Sequence, residues 1–461
     1  MRGRRYLPGV AAGALVLTAM CVDTERPPLL ELGDLPSAAE PAEELSGGAT
    51  TVADTGVNAF GRSLMNMPLE RWPDFYESKQ LFGRDWREVK ESPVLVGPLF
   101  SASSCMTCHV KDGRGRPPAS PDEAPVSLVF QLSAPGGQGP HPSYGEQLDL
   151  QALQGSEPEG TVAVAYDELP GEFATGESFT LLRPRYTFKS LVQGPLGADA
   201  PFSPRVSPAN FGMGLLDAIP EEALLTRADP DDANQDGISG RPNRVRDVET
   251  GETKLGRFGW KANQPSLRQQ IAHALSADMG LTTSLYPQPA NANADGTGTP
   301  EVTPQELERL LFYMRLVAVP KRRDWDAPAV LRGKAVFRAI GCSGCHVDSA
   351  FETGDVPGLP ELSHQRIYPY TDLLLHDLGE GLADGRPDGQ ASGREWRTPP
   401  LWGIGLVETV NGHTRFLHDG RARNHEEAVL WHGGEAAPAR ERYVRLPHAD
   451  REALLAFLKS L

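Results

Sequence analysis

Two copies of one five-residue pattern carry the clearest chemistry in this sequence. Each has two cysteines separated by two residues and followed at once by a histidine: Cys105-Met106-Thr107-Cys108-His109 and Cys342-Ser343-Gly344-Cys345-His346. C-x-x-C-H is the attachment pattern of c-type haem. On one helical turn the two thiols can form thioethers with the vinyl groups of one porphyrin, and the histidine can bind its iron. The sequence therefore predicts two covalently bound c-type haems, with His109 and His346 as proximal iron ligands.

Other uses of paired cysteines explain these patterns less well. The chain has 5 Cys and 11 His in 461 residues, so random placement would give on the order of 10⁻³ copies. A structural zinc site could join two C-x-x-C pairs, but it has no need of a histidine directly after each pair. A thioredoxin-like redox centre would need only one pair.

The N-terminus has the pattern of an export signal. Arginines 2, 4 and 5 precede the apolar run 6–20, which is too short to span a bilayer comfortably. Residues 1–21 are therefore predicted to be a signal peptide or a lipoprotein signal. Cys21 stands where a lipoprotein has its lipidated cysteine, although Met20 replaces the usual small residue. A lipid anchor through Cys21 and simple cleavage nearby stay open, and both predict a periplasmic or exported protein.

The charge of the chain restricts its partners. There are 45 Lys and Arg against 61 Asp and Glu, a net charge of -16. Nucleic acid and acidic membrane surfaces would be repelled and are not expected as partners. A small redox protein or other electron donor, basic or neutral, is the expected partner.

Composition and periodicity divide the chain into segments. Residues 22–51 are rich in Pro, Ala, Glu and Gly without periodicity, which is typical of a flexible linker. An N-terminal haem domain is predicted over 52–320, with a β-containing insert at about 120–230. A hinge at 321–326 leads to a C-terminal cytochrome-c-like haem domain over 327–461. The strands expected in the insert are 126–132, 160–166 and 179–188.

Helical patterning is expected in four other stretches: 266–275, 303–317, 330–340 and 443–461. Thr303 and Glu306 have the spacing of a capping box, and Pro320 ends that helix. The predicted fold class is mainly α, with two cytochrome-c-like haem domains, a β-containing insert and long loops.

Two further stretches resemble the di-haem cytochrome c peroxidase and MauG superfamily. They are GRFGWKANQPSLRQQ at 256–270 and FLHDGR at 416–421, the latter followed by EEAVLWHGG at 426–434. The similarity is closest to the di-haem oxidoreductase branch, whose members are labelled thiol oxidoreductases or peroxidases. With the two haem patterns, it runs from about Phe60 to the C-terminus.

The resemblance implies roles for three residues near the first haem. Trp260 matches the tryptophan that lies between the haems and serves electron transfer. Gln270 has the spacing of a glutamine in the distal pocket, and Asp278 falls near a family glutamate. A carboxylate above an open iron can take a proton from bound peroxide and return it to the leaving oxygen. Asp278 is one methylene shorter than glutamate, and an ordinary surface aspartate is the alternative.

His432 departs from the resembled pattern. Peroxidases of the superfamily have a methionine there, and MauG-type proteins a tyrosine, as sixth ligand of the C-terminal haem. His432 is therefore expected to complete a bis-histidine haem with His346, which has a lower potential than a His/Met haem. His418 matches a family histidine near the haem face and is expected to hydrogen-bond a propionate or neighbouring backbone.

A possible calcium loop lies apart from the haem patterns. Asp232, Asn234 and Asp236 occupy positions 1, 3 and 5 of such a loop, but Asn243 replaces the bidentate glutamate at position 12. Related di-haem peroxidases use calcium, so both a Ca²⁺ site and a polar loop stay open.

These features predict an exported di-haem c-type cytochrome oxidoreductase that is peroxidase-like. Electrons would pass from the six-coordinate C-terminal haem to a reactive N-terminal haem, where peroxide or dioxygen binds. Two alternatives are a di-haem electron-transfer cytochrome without its own substrate and a rubber-oxygenase-like dioxygenase.

Overall fold

The computed structural model describes residues 26–35, 38–87, 97–288 and 300–461. The predicted export signal and Cys21 lie outside the described residues. Within the described ranges, no helix is long and apolar enough to cross a membrane.

Short helices and small sheets alternate with long loops. The α-helices of the described ranges are α1 Trp72–Phe82, α2 Cys105–Cys108, α3 Met213–Asp217, α4 Glu221–Leu225, α5 Leu267–Met279, α6 Pro304–Leu316, α7 Pro328–Ala339, α8 Val407–Asn411, α9 His425–Trp431, α10 Ala437–Val444 and α11 His448–Ser460. The strands are β1 Leu99–Phe100, β2 Leu128–Leu132, β3 Gln151–Ala152, β4 Thr161–Glu172, β5 Ser178–Lys189, β6 Phe202–Val206, β7 Arg244–Arg246, β8 Thr253–Leu255, β9 Phe351–Glu352, β10 Arg366–Ile367, β11 Leu375–Asp377 and β12 Glu395–Arg397. They pair as two-stranded antiparallel sheets: β1 with β3, β2 with β6, β4 with β5, β7 with β8, β9 with β10 and β11 with β12.

The prediction of a mainly α fold is wrong. Only 29% of the described residues are helical and 16% belong to strands, so loops dominate. The physical reason is the high content of Gly (48) and Pro (41), which interrupts periodic elements and leaves most of the chain in irregular backbone.

The predicted helices are present, with local signals at their ends. The Ser266 Oγ accepts the amide of Gln269 and starts α5. Thr303 and Glu306 form the predicted capping box at the start of α6. The single helix predicted over 443–461 is divided, because extended backbone at Pro447 separates α10 from α11.

Strands form within the stretch 120–230, where a β-containing insert is predicted. Its main feature is the hairpin of β4 and β5, in register from Thr161 opposite Lys189 to Glu172 opposite Ser178. Buried side chains of β2 and β4 pack with Trp260 and Trp396 in a second apolar cluster. The insert therefore covers the region from which Trp260 projects.

Residues 38–51, part of the predicted linker, pack against the C-terminal half. Glu43 is 1% exposed, accepts a hydrogen bond of 2.9 Å from Arg322 and pairs with Lys334. Arg322, in the predicted hinge, is also buried. The main apolar cluster includes residues of both predicted haem domains, from Val52 to Leu461. The domain boundaries themselves stay a prediction.

Candidate functional site

The first C-x-x-C-H pattern lies in the wall of a large cavity, which we call the N-terminal cavity. The hydroxyl of Ser104 accepts the amide of Met106 at the start of α2, which carries both cysteines as free thiols. Cys105, Cys108 and His109 all line the cavity, whose volume with its open mouth is about 1830 Å³. Beside the two thiols and the histidine the lining is mostly apolar, which suits a porphyrin.

His109 is oriented as a metal ligand. Its Nδ1 lies 2.7 Å from the carbonyl oxygen of Pro208. Because a carbonyl only accepts, Nδ1 must carry the proton, and the lone pair of Nε2 is free. Burial lowers the pKa of His109 to about 4, which keeps the ring neutral. A neutral imidazole held by a backbone carbonyl fits a haem iron.

The helix α5 presents polar side chains to the same cavity. Gln270, His273 and Asp278 line it, and Oε1 of Gln270 has no hydrogen-bond partner in the described ranges. Asp278 accepts a hydrogen bond of 2.9 Å from Gln147. Burial raises the pKa of Asp278, although the Gln147 bond favours the charged form. Asp278 and His109 thus line the same cavity, and Asp278 is not an ordinary surface carboxylate.

The second C-x-x-C-H pattern lines another cavity, which we call the C-terminal cavity. The helix α7 ends at Ala339, and Gly341, with a φ of 98°, turns the chain into the 3₁₀ turn Cys342–Gly344. Cys342, Cys345 and His346 line the cavity together with His432, and its volume with its mouth is about 1640 Å³. A helix and a tight turn thus position both thiols and the histidine.

His346 and His432 face each other across this cavity. Their ring centroids are 6.5 Å apart. With metal–imidazole bonds of about 2 Å and each centroid about 1 Å behind its nitrogen, two imidazoles on one iron should be about 6 Å apart. The Nδ1 atoms are bound to backbone carbonyls of Tyr370 at 3.0 Å and Ala428 at 2.6 Å, which leaves both Nε2 atoms free. This geometry fits a bis-histidine haem.

Trp260 lies in the walls of both cavities. Its Nε1 donates to the carbonyl of Val206 at 2.8 Å. Gly259 adopts a φ of 78°, which allows the tight turn that projects the indole. The next residue, Lys261, is fully buried and forms an ion pair of 2.7 Å with Asp384. These contacts fix the tryptophan in the walls of the two cavities.

Two arginines that the sequence did not single out also line both cavities. Arg114 donates to the carbonyl of Leu417 at 2.7 Å, and Arg397 donates to that of Gly259 at 2.9 Å. Neither has a carboxylate within ion-pair distance among the described residues. Burial lowers the pKa of each to about 10, so both are cationic at neutral pH. Buried guanidinium groups without anions fit haem propionates. Arg114 follows His109 by five residues, but that spacing alone gives no signal.

His418 lines the C-terminal cavity and stacks on Trp396, with centroids 3.7 Å apart. Its buried Nε2 has no hydrogen-bond partner in the described part of the chain. This nitrogen therefore makes no hydrogen bond with neighbouring backbone. It is left to bond a haem propionate oxygen, the other partner that the sequence suggested. Arg421 instead forms a buried ion pair of 2.8 Å with Asp419.

His376 is already fully engaged. Its Nε2 lies 2.8 Å from Asp372 and its Nδ1 lies 2.8 Å from Glu435. Burial opposes the charged ring, but the two carboxylates raise the pKa of His376 well above its usual value. A protonated imidazole between two carboxylates is not available as an iron ligand.

The possible calcium loop has no metal-binding cluster. Asp232, Asn234 and Asp236 mainly accept or donate hydrogen bonds within their own loop. Asn243, the predicted twelfth position, donates instead to the carbonyl of Lys261 at 2.8 Å. No group of three His, Cys, Asp or Glu suited to a metal occurs in the described residues. Calcium binding stays a prediction.

More than half of the chain matches the model of one known protein family. The family model described as "Di-haem oxidoreductase, putative peroxidase" matches residues 193–461. This range includes Trp260, the second C-x-x-C-H pattern and His432, whereas the first pattern precedes it. The comparison with curated proteins gave no match.

Proposed function

Since the chain belongs to the di-haem oxidoreductase family, we propose that it is an exported enzyme that reduces a peroxide with electrons from a small redox protein. Two haems would be attached through the four internal cysteines, with His109, His346 and His432 as iron ligands. Export is supported by the N-terminal sequence pattern, and a basic or neutral electron donor by the charge of -16.

The asymmetry of the two cavities carries this proposal. In the C-terminal cavity, His346 faces a second imidazole at 6.5 Å. In the N-terminal cavity, no second imidazole of the described residues packs against the ring of His109; its aromatic neighbour is Phe82 at 6.4 Å. His346 and His432 would then both bind the iron of one haem, which would serve electron transfer. The other would keep a position for substrate.

The residues of the N-terminal cavity are suited to peroxide chemistry. A bound haem supplies an iron that exchanges electrons with the substrate oxygen. Asp278 can take the proton of the hydroperoxide and return it to the departing oxygen. Gln270, about two turns earlier on the same helix, offers an unpartnered amide oxygen to the cavity. Trp260, in the walls of both cavities, is an aromatic side chain that could connect the two haem sites.

One observation favours a second candidate, a di-haem electron carrier without its own substrate. Met213, Met279 and Met314 also line the N-terminal cavity. A thioether from one of them on the iron of His109 would fill the substrate position. The rubber-oxygenase-like alternative gains no comparable observation.

The two candidates differ in peroxide stoichiometry. The purified holoprotein is mixed with a reduced one-electron carrier protein, and hydrogen peroxide is then added in limiting amounts. We expect two carrier molecules to be oxidised per peroxide, since H₂O₂ + 2 H⁺ + 2 e⁻ gives 2 H₂O. Carrier that is oxidised no faster with peroxide than without it would refute the peroxidase and support the carrier.

A further inference from the structure

A second titratable side chain of α5 faces the N-terminal cavity. His273 lines this cavity, and its Nε2 lies 3.4 Å from a carboxylate oxygen of Glu146. We propose that His273 and Glu146 form a proton-exchange pair that connects the N-terminal cavity to solvent. The use of the pair in peroxide reduction rests on the proposed function, whereas the contact between the two side chains does not.

The two side chains differ in their exposure to solvent, which sets the direction in which a proton would pass between them. The Glu146 side chain is 49% exposed, whereas that of His273 is 18% exposed. One partner thus meets bulk water and the other meets the cavity. The edge of the His273 ring packs against Tyr286, with centroids 5.7 Å apart at 72°, so the plane of the imidazole is fixed.

One segment of chain holds both acid–base residues of α5. Glu146 contacts His273, and the next residue, Gln147, donates to Asp278 at 2.9 Å. Backbone hydrogen bonds join this segment to β2, from the Leu132 amide to the Glu146 carbonyl at 2.7 Å. The segment lies before the residues that the family model matches. His273 and Asp278 are therefore positioned together by a part of the chain that the family comparison does not cover.

The proposed reaction consumes protons, which such a pair can supply. Each H₂O₂ takes two electrons from the reduced carrier and two protons from water, and it leaves as two H₂O. Asp278 moves a proton from one peroxide oxygen to the other, which supplies no net proton. His273 in its acid form can give a proton to the cavity and regain one through Glu146.

The charges around His273 favour its acid form. Burial opposes a charged ring, but the hydrogen bond and charge of Glu146 outweigh it, with further support from Asp278 on α5 and Asp388 on a facing loop. The pKa of His273 is thereby raised above 6.5. An imidazole with a raised pKa keeps its proton to higher pH than a free imidazole does, and it can still exchange that proton.

Cyanide binding to the ferric holoprotein tests this pair without turnover. Hydrogen cyanide must lose its proton when it binds, so the association rate should rise with pH through the raised pKa of His273. We expect His273→Gln to slow association at least about tenfold and to remove that inflection. Glu146→Gln should move the inflection to lower pH, because the charge that raises the pKa is lost. His364→Gln, in an exposed His–Asp pair that lines neither cavity, is the matched control.

The same variants are then mixed with hydrogen peroxide. A cyanide profile that depends on His273, together with a wild-type protein inert to peroxide, supports the proton-exchange pair and refutes the proposed function. Unchanged cyanide rates and pH profile in His273→Gln overturn the pair. It is also overturned if wild-type protein binds no cyanide, or if His273→Gln converts a low-spin haem to high spin, since His273 would then be an iron ligand.

Discussion

Replacing Asp278 by asparagine tests its proposed acid–base role with little change of shape. Asparagine keeps an oxygen that can accept the 2.9 Å hydrogen bond from Gln147, but it has no basicity near neutral pH. Asp278 contributes as a base only when ionised. Its pKa is raised above 3.8 by burial. The wild-type rate should therefore fall as pH is lowered through that raised pKa. The variant should lack this inflection and keep only the pH dependence that comes from His273.

The size of the effect follows from what remains in the cavity. Loss of a general acid–base group costs roughly 10²–10⁴-fold in rate. His273 still lines the cavity of the variant and can accept a proton in its neutral form, so we expect the lower end, about 100-fold. At about 1.36 kcal/mol for each factor of ten, this is about 2.7 kcal/mol of activation free energy. The double variant with His273→Gln should lose more than Asp278→Asn alone.

The assay is the second-order rate of reaction of the ferric holoprotein with hydrogen peroxide, measured by stopped-flow absorbance from acid to neutral pH. Asp355→Asn is the matched control, because its carboxylate is 87% exposed and pairs only with His364 at the surface. An Asp278→Asn protein with an unchanged spectrum and a wild-type rate over this pH range would refute the assigned role.

Two other substitutions test electron transfer and the packed N-terminal segment. Trp260→Phe keeps an aromatic ring between the cavities but loses the Nε1 bond to Val206, so electron transfer between the haems should slow by about tenfold or more while both haem spectra stay unchanged. Rapid reduction of one haem followed by spectral re-equilibration measures this rate, and equal rates in both proteins would contradict the assignment. Glu43→Gln leaves Arg322 and Lys334 without their buried carboxylate; removal of one partner from a buried pair costs roughly 3–5 kcal/mol. We expect about 3 kcal/mol in urea unfolding, because Lys334 keeps Glu40, and a loss below about 0.5 kcal/mol would show that the segment is not docked in solution.

Local signals in the sequence predict much of the site. Each C-x-x-C-H pattern is contiguous, so covalent geometry brings its thiols and histidine together without help from the fold. The capping box at Thr303 is local in the same way. His432 is distant in sequence from His346, but a resembled motif identifies it, and the two rings do face each other.

Residues that act through tertiary contacts carry no such signal. Arg114 and Arg397 come from unrelated segments and line both cavities only because the folded chain brings them there. Glu146 and Gln147 contact side chains of α5 that are more than a hundred residues away in the sequence. Glu43 lies in a stretch whose composition predicts a flexible linker, and its burial depends on Arg322 and Lys334. The fold class was mispredicted for a related reason, since helix patterns in short windows do not reveal how much loop separates them.

Electron paramagnetic resonance of the ferric holoprotein tests the asymmetry of the two haem sites most directly. We predict one low-spin signal from the haem between His346 and His432 and one high-spin signal from the haem at His109. His432→Ala should convert the low-spin signal and leave the other unchanged. Two low-spin signals that peroxide does not alter, or a low-spin signal that survives His432→Ala, would contradict the account.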